Sequence, residues 1–316
     1  ELDHMDLSQK ELNSSKKVLP SKVELDAFWA GPKALEEVKI KTIDDGQFNK
    51  HLWNILRVVI HAQEHSKSPG RGLSAFVGFY NEKGFRLLGL LSMNSDSYAL
   101  QVRDDHIGWN SCERDEKREH LVNMNVCCPS QPFGYNYLGG KFVSLIASRL
   151  IPEWEQKYST KVVALTTTSI HQGLDQYSGM KWWKKLGYTS GRMLIKPLRD
   201  EWSFWRTCYR ENFPDNYEET IRQSSPVQAN LAAIYRILNI DGREYVHNHK
   251  RGVYIRPLYT NYKEFFTGSI SLKGLAPIEE DWSKWWKNKS TERNLVLNKE
   301  RKERKDILFQ KQITEL

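Results

Sequence analysis

Cys127-Cys128-Pro129 closes a β-like run and leads into Gln131-Pro132-Phe133-Gly134-Tyr135-Asn136, then Leu138-Gly139-Gly140-Lys141. A strand, a glycine-bearing loop and a helix start in succession gather backbone N–H groups at the positive end of a helix dipole. That arrangement suits a pyrophosphate, with Gln131, Gly134, Tyr135, Asn136, Gly139 and Gly140 as its lining. The same residues also make an ordinary strand-to-helix turn. Ser130 and Cys128 flank the junction without a Ser/His/Asp or Cys/His order. Further on, His171, Asp175 and Tyr177 fall within seven residues. Transfer to an amine needs a base, a proton donor for the leaving group and N–H groups for the oxyanion. His171 and Asp175 are the candidate bases and Tyr177 the candidate donor. A hydrogen-bonded structural histidine and a buried core tyrosine are the alternatives.

A third set is basic. Arg243, His247, His249, Lys250, Arg251, Tyr254 and Arg256 fall within fourteen residues. As a surface they suit phosphate contacts. The two histidines have no third ligand in the pattern, so no metal is expected. Trp282, Trp285 and Trp286 alternate with Lys284, Lys287 and Lys289. Stacking faces beside charge suit single-stranded or flipped nucleotides; a solvated basic face with a hydrophobic anchor has the same composition. Trp109 and Trp182 are further candidates for base stacking, against a plain core role. Asp105 and His106 are read either at a site mouth or in a β-turn.

The elements that carry these groups follow from periodicity. Residues 36–43 alternate charge and aliphatic, as a half-buried strand does. Phe48, Leu52, Ile55, Leu56, Val59 and Ile60 have helical spacing, with Asp45 as the expected cap. Residues 65–73 read as a loop. Strands are expected at 74–80 and 85–91, joined by Asn81-Glu82-Lys83-Gly84, and at 121–128. A long helix is expected over 138–158, a strand over 161–167, a short amphipathic helix near 178–186 and a last strand at 192–198. A helix-then-hairpin pattern surrounds Asp241-Gly242, and an exposed helix runs from Asp281. The order β-α-β-β-β-α-β-α-β implies a mixed α/β (α+β) sheet flanked by helices over residues 36–200. Residues 1–35 are expected to be a loose leader, with Glu1–His4 a vector remnant. Residues 201–316 read as a basic, aromatic, mainly helical nucleic-acid-binding region.

The chain has 316 residues, a net charge of +8, 11 Trp and 4 Cys. A mean hydropathy of −0.64 with no long apolar run excludes a bilayer span. The positive balance favours an anionic partner. Four cysteines without ligand spacing fit the reducing cytoplasm of a bacterial host cell rather than a disulfide framework.

The junction at Gln131 and Gly134 resembles the Q/R-x-x-G-x-G/A loop of GNAT acyltransferases, with Asn136 at the family's third position. Trp183-Lys184-Lys185-Leu186-Gly187-Tyr188 is similar to that family's Tyr-x-x-Leu-Gly-Phe run. Trp183 stands where the family often has a general-acid tyrosine, and an indole has no phenolic proton to give. Arg103-Asp104-Asp105-His106-Ile107-Gly108-Trp109 resembles the R-D-x-x-I-G-W segment of the Druantia protein A family, found in phage-defence loci and mobile elements. Tyr177 with Trp182, then Gly187, Thr189, Gly191 and Arg192, is similar to the same family's Y-x-x-x-N-W…G-x-T-x-G-R. His171 and Gly173, followed by Tyr177 and Trp182, resemble the H-x-G…Y-x-x-x-N-W stretch of phage Mom proteins. Those proteins are GNAT-like and modify adenine in phage DNA to evade restriction. Lys181 replaces the Asn before Trp182. No acid follows Thr166-Thr167-Thr168-Ser169, where both families tend to have Asp, so Asp175 is the nearest carboxylate. The resemblance covers residues 85–198, about a third of the chain.

It implies a GNAT-like domain that transfers an acyl or aminoacyl group onto a nucleobase of DNA. The donor is acyl-CoA (acetyl-CoA) or, alternatively, an aminoacyl-tRNA. Tyr177, Asp175 and His171 are the expected catalytic groups, and Trp109, Trp182, Arg243, Lys250, Arg251 and Arg256 the expected nucleic-acid contacts. The alternatives are a catalytically silent DNA-binding component of a phage-defence or mobile element, and an N-acetyltransferase acting on a protein or small amine. No membrane partner is expected.

Overall fold

The computed structural model describes residues 16–44, 46–60, 70–171, 175–189, 193–223, 225–247, 249–279 and 281–314, with backbone alone for 199, 247 and 305–314. Glu1–His4, Asp45, Gly173, Gly191, Arg192 and the side chain of His247 lie outside the described residues. The elements run α1 (Lys22–Ala30), α2 (Ala34–Glu37), β1 (Lys39–Thr42), α3 (Lys50–Ile60), β2 (Gly72–Asn81), β3 (Gly84–Ser95), α4 (Gln101–Ile107) and α5 (Ser111–Lys117). Then come β4 (Leu121–Pro129), α6 (Phe133–Asn136), α7 (Gly139–Ile146), α8 (Ile151–Tyr158), β5 (Ala164–Ser169), β6 (Lys184–Tyr188) and β7 (Met193–Leu194). Three helices come next, α9 (Arg199–Asn212), α10 (Pro214–Ile221) and α11 (Pro226–Ile237). The chain continues through β8 (Val246–His247), β9 (Gly252–Pro257), α12 (Tyr262–Phe266) and α13 (Trp282–Thr314).

Seven strands form one sheet in the order β1-β2-β3-β4-β5-β9-β6. β4 and β5 are parallel, and the other neighbours are antiparallel. Alternation along β2 shows why both faces are covered. Ala75, Val77 and Phe79 pack with Phe142, Leu145 and Trp154 from α7 and α8, while Phe76 packs with Trp53 and Leu56 from α3. On that second face, Ile255 of β9 meets Phe265 and Phe266 of α12. The fold is the expected mixed α/β sheet flanked by helices. The hairpin β2–β3 turns where expected, with Gly84 at φ +96° in the left-handed region that favours glycine.

Several local expectations are corrected. Part of the leader is not loose. Ser21 and Glu24 form a capping box on α1, Leu25 is fully buried, and Arg86 of β3 donates to Glu24 (2.7 and 3.0 Å). Asn49 caps α3, its side chain accepting from Leu52 N at 2.9 Å. The long helix over 138–158 is broken into α7, a 3₁₀ turn and α8. Pro152 has no N–H for the carbonyl of Ser148, which Ile151 N takes instead. The helix near 178–186 is a turn followed by β6. Asp175 holds the N–H groups of Tyr177 and Ser178, and Gly179 sits at φ +71°. The strand at 192–198 shortens to β7, paired with β8. The hairpin around Asp241 is absent, because β8 and β9 join different sheets. β9 lies between β5 and β6, so the boundary expected at residue 200 does not separate the sheet from the C-terminal region.

The Arg103–Trp109 segment is α4 with its C-terminal cap, not a β-turn. Arg103 is wholly buried. Its Nη1 donates to Asp96 Oδ2 (2.7 Å) and the Ser97 carbonyl (2.7 Å), and its Nε and Nη2 donate to Asp104 Oδ1 (2.9 and 2.7 Å). Trp109 Nε1 donates to the same Asp104 oxygen at 3.0 Å. Gly108 ends the helix at φ +84°. Replacing Arg103 by Met strands two carboxylates, so urea denaturation should show a loss of about 3–5 kcal/mol. Gly108→Ala meets open space and costs backbone strain alone, about 1 kcal/mol.

Candidate functional site

β4 and β5 pair only from Leu121–Asn123 to Ala164–Thr166 and then part. Side chains bridge the gap. Thr167 Oγ1 donates to the Met124 carbonyl (2.8 Å), and Gln176 Nε2 donates to the Cys127 carbonyl (2.8 Å) and to Tyr177 Oη (3.0 Å). Register then places Thr167, Tyr254 and Lys185 side by side across β5, β9 and β6. Asp175 accepts from Tyr177 N (3.0 Å), Ser178 N (2.9 Å) and Ser178 Oγ (3.0 Å), and Tyr254 Oη donates to its second oxygen. The Tyr177 ring packs on Trp183 (5.0 Å) and Tyr254 (5.3 Å). Lys141 Nζ donates to the carbonyls of Gln176 (3.5 Å) and Ser178. Gly140 lets the turn approach α7: a Cβ there falls 2.5 Å from Gln176 Oε1 and 3.0 Å from Gln176 Cβ.

Burial sets the charge state of this cluster. It pushes the hydroxyl of Tyr177 and the thiol of Cys127 well above their usual ranges, and the Cys128 thiol up to about 12. Burial also raises Tyr254, reinforced by its bond to Asp175, and lowers the Lys141 ammonium. The cluster therefore holds two neutral phenols, of which Tyr254 donates to Asp175 and Tyr177 is bonded to Thr167 and Gln176. Neutral phenols orient and donate; they do not act as bases.

Asp175 and Tyr177 are together as expected. His171 is exposed, and its backbone N–H donates to Ser169 Oγ at 3.2 Å; it touches neither group among the described residues. Tyr254 falls within the basic set by sequence, yet it is the direct partner of Asp175. Its signal is the Val253-Tyr254-Ile255 run between Gly252 and Pro257, a strand pattern.

The Gly134–Tyr137 turn of the junction uses its own donors. The N–H groups of Gly134, Tyr135, Asn136 and Tyr137 bond to Ser130 O (2.8 Å), Gln131 Oε1 (3.1 Å), Pro132 O (3.0 Å) and Phe133 O (3.1 Å). Gly139 is buried for packing: a Cβ there falls 2.6 Å from the Phe133 ring. α13 lies across the junction. Trp286 Nε1 donates to Leu138 O (3.4 Å), Asn294 Nδ2 to Tyr137 Oη (3.4 Å) and Arg301 Nη2 to Asn136 Oδ1 (2.8 Å). The Arg293 guanidinium sits 4.9 Å from the Tyr135 ring centre. The bonds within the turn occupy the N–H groups of Gly134 to Tyr137, and Arg301 covers Asn136, so this part of the junction does not offer its amides to a pyrophosphate.

The expected nucleic-acid contacts divide. Trp109 is buried on Asp104, and Trp182 is buried against Trp285 at 5.4 Å. Arg256 is buried, and its Nη1 caps α7 at the carbonyls of Ser144 (3.1 Å) and Leu145 (2.7 Å). These three face the core instead of solvent. Trp282 and Trp286 are core as well, anchoring α13 on Phe142. Arg243 is exposed and held by Asp241, while Lys250 and Arg251 are exposed at the far end of β6, where Arg251 bonds to Thr189. No cluster of metal-ligating residues occurs among the described residues, and no described helix is long and apolar enough to cross a membrane.

Fold and site together define a mixed α/β protein whose buried acid–phenol cluster sits where its parallel strand pair opens. The chain belongs to the Druantia protein DruA family, whose sequence pattern matches residues 8–268. A relative, Druantia protein DruA of Escherichia coli (strain UMEA 4076-1), is 28% identical over 145 residues, or 40% of this chain and 35% of the relative. The match thus spans about a third of that relative's length. No solved structure matches the chain.

Tyr254→Phe leaves the buried Asp175 carboxylate one donor short, and chemical denaturation should show a loss of about 1–3 kcal/mol. His106, bonded to Tyr262 Oη at 2.7 Å, is pushed from 6.5 down to about 4 by burial and by Lys263 and Lys184. Between those values the unfolded chain binds the extra proton, so His106 lowers stability as pH falls from about 6.5 to 4. His106→Gln should flatten that segment of a Tm-against-pH curve.

Proposed function

We propose that this chain is a nucleic-acid-directed component of a phage-defence system, built on a GNAT-like fold whose donor junction serves as a seat for its own C-terminal helix. Membership of the Druantia protein DruA family supports the defence context. The seven-stranded mixed sheet, with a strand–loop–helix junction after β4, supports the likeness to GNAT proteins. The net charge of +8 and the exposed Lys184, Lys185, Lys250 and Arg251 around the β6 edge support a nucleic-acid partner. One observation carries the preference for binding over transfer. The N–H groups of Gly134 to Tyr137 are donated within the loop, and Arg301 covers Asn136.

Calorimetry tests this directly. Acetyl-CoA and CoA should give no binding heat at millimolar ligand, while single-stranded and duplex oligonucleotides should bind with an affinity that falls steeply with salt. Micromolar CoA binding that is lost on changing Gly134 to a bulky residue would overturn the proposal.

Acyl or aminoacyl transfer onto a DNA nucleobase is the second reading. It is favoured by the Asp175–Tyr254–Tyr177 cluster, since buried titratable groups with specific charge partners concentrate at functional sites. Its test is mass spectrometry of nucleosides from DNA incubated with the protein and acetyl-CoA or aminoacyl-tRNA. A new mass lost in Tyr177→Phe, with DNA binding intact, would establish transfer.

A further inference from the structure

α4, β6 and α12 meet at the open edge of the sheet, on the face opposite the Asp175 cluster. Gly187 of β6 approaches α4 so closely that a Cβ there falls 3.1 Å from Val102 Cγ1. His106 is one helical turn after Val102 and so shares its side of α4. Its Nε2 is paired with Tyr262 Oη of α12 at 2.7 Å, and the two rings stack at 6.3 Å. Lys184 pairs in register with Ile255, a residue of the core under α12, so both belong to this face. Lys263 follows Tyr262 on α12. His106 thus lies within electrostatic range of two ammonium groups from different elements, Lys184 and Lys263.

The nearby acids do not neutralise them. Asp105 of α4 accepts from Gln101 at 2.6 Å, and Glu264 of α12 is exposed. Neither Lys184 nor Lys263 has a carboxylate within 4 Å among the described residues. Lysines on an edge strand also deter pairing with another chain. That role accounts for Lys184 and Lys185 but not for an imidazole bonded to Tyr262 with an ammonium group on each of two neighbouring elements. Two ammonium groups brought toward one neutral imidazole disfavour its protonation, and an anion relieves that repulsion. Lys185 adds positive charge on the other face of the same strand, and Lys250 and Arg251 add it at the far end, where Arg251 bonds to Thr189, which suits a polymer of phosphates better than a single ion.

We propose that His106, Lys184 and Lys263 form a phosphate-contacting site for a nucleic-acid backbone running along the β6 edge. The inference rests on the nucleic-acid reading above and names the surface that does the binding. Phosphate binding there stabilises the imidazolium form of His106.

The test uses the full chain and a fluorescent single-stranded oligonucleotide, read by anisotropy across a salt series. Lys184→Ala/Lys263→Ala should bind at least tenfold more weakly at 0.1 M salt, with the log–log salt slope reduced by about 1 to 2. Lys273→Ala, an exposed lysine on another loop, is the control and should bind as the parent does. In the parent, the His106 NMR titration should move up from about 4 when the oligonucleotide is added, and should not move in the double variant. Circular dichroism confirms that the double variant is folded. Parent-like affinity and salt slope in a folded double variant would overturn the β6 site alone. An equal loss in Lys273→Ala would also overturn it, because net charge would then explain the binding. A parent chain that binds no oligonucleotide would overturn the nucleic-acid reading together with the site.

Discussion

β9 is the strand on which the rest of the structure depends. It enters the sheet between β5 and β6 and satisfies the inner edges of both. Unpaired backbone groups in a buried position are costly, so a strand placed there fixes everything it carries. Three consecutive residues show the consequence. Tyr254 reaches Asp175 on one face, Ile255 packs under α12 on the other, and Arg256 returns to the first face to cap α7. The candidate site, the second core and the end of the central helix are thus registered by one six-residue element. The turn at Asp175 is shaped to meet it. The Asp175 carboxylate takes two turn amides and a serine hydroxyl, and the fourth bond comes from Tyr254.

The C-terminal helix is the second organising feature. Trp282 and Trp286 bind it to Phe142 and Trp29, and its polar side chains continue over the junction after β4. Asp26 of α1, Tyr137 of the junction and Asn294 of α13 meet in one hydrogen-bonded group. Burial and the bond to Asp26 push the Tyr137 hydroxyl well above its usual range, so it remains a donor. The glycines of the junction allow close packing inside it and against the Asp175 turn, a Cβ at Gly139 meeting Phe133 and one at Gly140 meeting Gln176. The junction whose sequence resembles a phosphate cradle is also a packed corner between the first helix, the central helix and the last one.

The Arg103–Trp109 segment carries a related lesson. A motif of arginine, aspartate and tryptophan invites a catalytic or base-stacking reading. In the fold its arginine is out of contact with water and binds two carboxylates and backbone carbonyls. A buried ion network of this kind specifies one arrangement, because any alternative leaves charges without partners. His106 of the same segment bonds to Tyr262 instead of joining that network, and so meets the β6 edge.

The sequence by itself determined the local elements whose signal is short-range. β2, β3, β4 and the turn at Gly84 lie where period-two alternation and a glycine placed them, and the mixed α/β class followed from their order. Asp175 and Tyr177 were also readable as a pair, being two residues apart. Tertiary structure decided the rest. Tyr254 meets Asp175 across 79 residues, Arg256 meets Leu145 across 111, and Arg301 meets Asn136 across 165. A basic residue reads the same in sequence whether it faces phosphate or caps a helix. Only the register of β9 sends Arg256 inward while Lys184 and Lys185 stay at the open edge. The physical reason is that side-chain type sets what a group can bond to, whereas strand pairing and burial set which partners are within reach.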